Sequence, residues 1–132
     1  MIPTLPLVVA GRRGRWIAGA ALTVVAACAP VITQESAQLT PGDGRMFRLA
    51  RKAEIPLSTG YSTTLRPNTR WQRVGQLPQG DVYRTRDQIV TVEGAHIHEA
   101  YVVLKDGSIV GFYLPVERTF SPVKPQPLSM EQ

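Results

Sequence analysis

The chain has one cysteine, Cys28, in 132 residues. A lone cysteine closes no intrachain disulfide and builds no multi-thiolate metal site. Histidine is almost as scarce, with only His96 and His98, so a metal centre built from imidazoles alone is excluded. The apolar stretch Trp16 to Ala27 is 12 residues long, short of the roughly 20 that a membrane-spanning helix needs. The sequence has no internal repeat, no Gly-x-Ser-x-Gly elbow, and no phosphate loop or dinucleotide fingerprint. Aromatic residues make up 7%, and in a domain this small most of them belong to the core.

The N-terminus carries the clearest positive signal. Arg12, Arg13 and Arg15 precede the apolar stretch, which closes on the small residues Ala26 and Ala27. These are the three zones of a secretory signal. The run Val25-Ala26-Ala27-Cys28 follows the pattern of one branched apolar residue, two small residues and a cysteine. It resembles the lipobox of bacterial lipoproteins, the substrates of the type II signal peptidase. The resemblance implies diacylglycerol on the Cys28 sulfur, removal of residues 1–27, and acylation of the new α-amine. One acyl chain binds a bilayer only marginally, whereas two or three hold it. In that family an aspartate after the cysteine favours the inner membrane. Ala29 stands there, which implies the periplasmic face of the outer membrane. Arg12-Arg13 also resembles a twin-arginine export signal, but Arg15 occupies a position where that signal has an apolar residue, so general secretion is expected. Residues 1–9 are apolar, with two prolines and no charge. That is unusual ahead of the arginines and places the expected translation start further in, at Leu5, Leu7, Val8 or Val9.

Maturation changes the charge. Without the signal the chain is 105 residues with 12 basic and 10 acidic side chains, so the formal +5 falls to +2. The case for nucleic acid as a partner falls with it, and lipid on Cys28 removes thiol catalysis. A lysozyme inhibitor, which resembles an acidic plug, is disfavoured by the same +2. Residues 28–44 are expected to be the lipidated cysteine and a flexible tether, rich in Pro, Gly and small polar residues. Fully extended, the tether from Ala29 would reach about 55 Å.

The remainder is expected to be mainly β: a small antiparallel sheet or partly open barrel over residues 45–120, with one short N-terminal helix. That helix is placed at residues 45–54, RMFRLARKAE, by propensity, and its cationic face would be solvated. Short apolar runs separated by turn residues continue from Leu57 onward. Arg66-Pro67-Asn68-Thr69 and Pro78-Gln79-Gly80 read as turns. Asp106-Gly107 reads as a type I′ hairpin loop, setting Lys105 opposite Ser108, Val103 opposite Val110 and Tyr101 opposite Phe112. The core face would then hold Ile97, Tyr101, Val103, Val110, Phe112, Leu114 and Val116. The other face is apolar enough for the sheet to be covered on both sides. Residues 121–132, with Pro122, Pro125 and Pro127, are expected to be extended and weakly ordered.

His96-Ile97-His98-Glu99 is the one stretch with the look of a site. Two histidines at i and i+2 of a strand point to one side, as in strand-borne zinc sites. The pair resembles the cupin pattern, but Glu99 points to the opposite face and no carboxylate occurs within the next five residues. A third ligand would have to come from Glu93, Glu54 or a distant aspartate. Glu99, if buried, needs an arginine such as Arg84 or Arg118. The stretches YSTTL and GFYLPVE are similar to ones in small uncharacterised proteobacterial lipoproteins, from which no activity follows. The function expected is therefore a non-enzymatic structural, assembly or interaction module of the cell envelope. It would be held to the membrane by Cys28, would meet an envelope protein partner and would have no cofactor. The alternative is a periplasmic metal or small-ligand binder using His96 and His98.

Overall fold

The computed structural model describes residues 30–132. Val25, Ala26, Ala27 and Cys28 lie outside the described residues. The strands are β1 (Glu35–Ser36), β2 (Thr40–Pro41), β3 (Met46–Leu49), β4 (Ala53–Pro56), β5 (Ser62–Leu65), β6 (Arg70–Leu77), β7 (Gly80–Thr85), β8 (Thr91–Glu93), β9 (Ile97–Glu99), β10 (Tyr101–Lys105), β11 (Ser108–Leu114), β12 (Thr119–Pro127) and β13 (Met130–Glu131). Nine of them form one sheet in the order β1-β12-β11-β10-β7-β6-β3-β13, with β2 also on β6. Two hairpins, β4-β5 and β8-β9, stand apart from it. Every pairing is antiparallel. The chain is mainly β, and the large sheet does not close into a barrel: its path ends at β1 and β13.

Turn chemistry sets the centre of the sheet. Asp106 and Gly107 take φ of 51° and 80°, as a type I′ loop requires, and Lys105 faces Ser108. The register holds for one more pair and then departs from the simple hairpin. Leu104 faces Ile109, but Val103 faces Gly111, because a bulge takes up Val110. A bulge inserts one residue and reverses the facing of the residues beyond it. Ile109 and Phe112 therefore share one face, and Tyr101 meets Tyr113 rather than Phe112. Gly111 permits the arrangement. A Cβ there would lie 2.5 Å from the Phe120 ring on β12, so only glycine lets that ring cross it.

Both faces of the sheet are buried. One packs Trp71, Phe112, Leu49 and Leu114 against Ile55, Leu65 and Val92 of the two separate hairpins. The other packs Leu77, Val82, Val103, Tyr113 and Phe120 beneath Ala37 and Leu39 of the N-terminal segment. Phe47 lies parallel to Trp71 at 6.2 Å and edge-on to Tyr83 at 5.0 Å.

Three expectations are corrected. Residues 45–54 form no helix; they are β3 and the start of β4, and no helix occurs among the described residues. The buried positions are Phe47, Leu49, Ala53 and Ile55, a two-residue period on each side of a bend at Ala50–Lys52, and pairing with β6 overrides the local helix preference. Residues 30–44 are no free tether. Ile32 is buried in the main core. Ala37 N donates to Arg118 O, Gly42 N to Val74 O and Gly44 N to Arg73 O. The tail from Ser121 is extended, as its prolines imply, but it is bound: β12 pairs with β11 on both sides of an irregularity at residues 123–125, and β13 pairs with β3.

Candidate functional site

His96 and His98 sit on the short β8-β9 hairpin, their rings edge-on with centroids 6.4 Å apart. His98 is half-buried and its Nδ1 lies 2.6 Å from Glu117 Oε2. That bond, before any charge effect, holds the Glu117 carboxyl below its ordinary range. Glu117 lies in the β11-β12 turn, so the pair ties the separate hairpin to the large sheet. The residues proposed as a third ligand are elsewhere: Glu54 bonds Thr64 Oγ1 and Lys52, and Glu93 pairs with Ile97 through the backbone of the hairpin. Among the described residues no three His, Cys, Asp or Glu side chains are grouped to hold a metal ion. The strand geometry does bring the two imidazoles together, and the structure gives His98 a tie to make. Glu117 was not legible beside them, because only the reversal of β11 into β12 brings it there.

Glu99 is exposed rather than buried and takes part in no ion pair among the described residues. Of the arginines proposed for it, Arg84 instead lies over the Tyr101 ring, 5.6 Å from its centroid. Glu99 lines a cleft of about 480 Å³ with Arg66, Arg84, Arg86, Ile89 and Tyr101. A second cavity of about 230 Å³, lined by Met46, Arg70 and Gln72, adjoins it and shares Arg84, Arg86 and Asp87.

The segment after β7 is held firmly at this cleft. Asp87 Oδ2 accepts from Arg70 N at 2.7 Å, and Oδ1 faces Arg70 Nη2 at 3.3 Å. These bonds lower the Asp87 carboxyl and raise the Arg70 guanidinium. The Asp87 carbonyl accepts from Arg66 Nη2 at 2.6 Å. Gln88 holds the end of β5, accepting from Arg66 N at 2.7 Å and donating to Thr64 O at 3.0 Å. The sequence signal for this cleft was Arg84 and Arg86 at i and i+2, which face one side of an extended segment. It was missed because Arg66 and Arg70 join them only through the β6-β7 pairing and the loop before β6.

At the other end of the β8-β9 hairpin lies the start of the described chain. Gly94 sits where a Cβ would be 2.9 Å from Pro30 O and 3.2 Å from the Thr59 methyl. Thr59 Oγ1 donates to Glu93 O at 2.7 Å. The neighbouring side chains Val31, Tyr61 and Ile97 are exposed apolar residues, at 72%, 48% and 69%. Compared with known proteins, the chain matches no family model, no curated protein and no solved structure.

Proposed function

We propose that this protein is a lipoprotein of the bacterial outer membrane, anchored at Cys28, whose β domain serves as an interaction module of the envelope. One observation supports this reading most: the Val25-Ala26-Ala27-Cys28 motif stands only two residues ahead of Pro30, whose carbonyl already lies against Gly94 of the β8-β9 hairpin. Two residues span at most about 7 Å. The domain is thus held close against the bilayer rather than on a long leash. The exposed Val31, Tyr61 and Ile97 near Pro30 suit that position, since apolar side chains gain from partial burial at a lipid interface. A module pinned in this way presents a fixed surface to proteins in the same membrane.

The test is the membrane fraction of cells expressing the full chain. The wild-type protein should sediment with outer membranes and accumulate as a precursor when the type II signal peptidase is inhibited. Cys28→Ala should abolish both behaviours. A Cys28→Ala protein that still fractionates with the outer membrane would rule out the lipid anchor.

A further inference from the structure

The described residues carry 12 lysines and arginines. Arg45, Arg48, Lys52, Arg70 and Arg73 are engaged by carboxylates. Of the others, Arg66, Arg84 and Arg86 converge on the 480 Å³ cleft. Arg66 donates to a backbone carbonyl and Arg84 lies over the Tyr101 ring, and neither is in a salt bridge with a carboxylate among the described residues. Arg86 has no carboxylate partner among the described residues. Asp87, the next residue in sequence, is already engaged by Arg70.

We propose that this cleft binds a phosphate group carried on a small organic headgroup, either free or as part of a lipid. The planar guanidinium fork matches phosphate oxygens in pairs, and three arginines against Asp87 and Glu99 on the same lining leave the cleft a net positive charge that suits an anion. The cleft is larger than a phosphate needs and falls in the range of small-molecule sites, roughly 300–1,000 Å³. Tyr101, Ile89 and Val90 line it and supply an apolar wall for the organic part. Glu99 on the same lining repels a ligand that is negative throughout, which favours a single phosphate over an extended polyanion. The proposal rests on the cleft alone and does not depend on the anchor at Cys28.

The test uses the full chain in neutral detergent and follows the arginine Nε–Hε resonances by NMR. Two probes separate the sources: glycerol 3-phosphate for a free headgroup and dihexanoyl phosphatidic acid for a lipid-borne one. Saturable shifts of Arg84 and Arg86 with either probe are expected, and the probe that binds more tightly identifies the source. Arg84→Gln/Arg86→Gln should weaken binding about tenfold or more, as loss of charge-assisted bonds does. Arg51→Gln, an exposed arginine outside the cleft, should change it less than twofold. Arg84 and Arg86 are both exposed, so the double variant should melt as the wild type does; if it does not fold, Arg86→Gln alone carries the comparison. The proposal is overturned if neither probe gives saturable shifts, if Arg51→Gln loses as much as the cleft variant, or if an aspartate-rich peptide occupies the cleft and neither phosphate displaces it.

Discussion

Single side chains show where this small core is least forgiving. Trp71 is 1% exposed, and its indole Nε1–H donates to Thr69 Oγ1 at 2.9 Å; that hydroxyl in turn donates to Arg66 O at 2.8 Å. Thr69→Val keeps the shape and leaves a buried N–H and a carbonyl without their partner, so unfolding in denaturant should show a loss of about 1–3 kcal/mol. Thr69→Ser should keep most of it; equal losses in the two variants would show that the methyl, and not the hydroxyl, matters. A second expectation concerns acid. Hydrogen bonds from Arg70 place the folded Asp87 carboxyl below its unfolded value. Its contribution is therefore complete above the ordinary carboxylate range near pH 4 and is lost as pH falls through the lowered folded value. Melting temperature should decline below about pH 4, and Asp87→Asn should flatten that decline; an unchanged acid limb would discount the Arg70 pair.

At the level of elements, turns were legible and the partners of strands were not. Asp106-Gly107, Pro78-Gln79 and Arg66 to Thr69 all form turns, because loop chemistry is local. The Val110 bulge was hidden, since its cause is the Phe120 ring crossing Gly111 from another strand. Residues 45–54 mislead for a related reason. Their composition suits a helix, and only the fit of Phe47 against Trp71 and Tyr83 decides for strand. The His96-His98 pair was visible, whereas its partner Glu117 and the arginine cleft depend on long-range pairing. The tail carries the clearest consequence. Proline content argued for weak order, yet β12 covers the edge of β11 and Phe120, Ser121, Val123, Leu128 and Met130 pack inward. Truncation after Phe120 should abolish cooperative thermal unfolding followed by circular dichroism. A truncated protein that melts like the full chain would return the tail to the status of an appendage.

The whole molecule is a sheet buried on both faces by pieces of its own chain. The N-terminal segment lies over one face and two hairpins over the other. Gly75 shows how closely the segment approaches: a Cβ there would be 2.4 Å from Leu39. The segment that reads as a leash is therefore a layer of the fold, and this shortens the distance from Cys28 to the domain to two residues. The proposed anchor and the fold are thus adjacent in the sequence, with the β8-β9 tip at Gly94 beside Pro30 and the arginine cleft at the base of that hairpin. Whether Cys28 is the lipidated N-terminus of the mature protein is decided by the intact mass of the protein from bacterial membranes. The expected species begins at Cys28 and is heavier than residues 28–132 by a diacylglycerol group, with or without a further acyl chain. A chain that keeps residues 1–27, or one that begins elsewhere with the Cys28 thiol free, would contradict the proposed anchor.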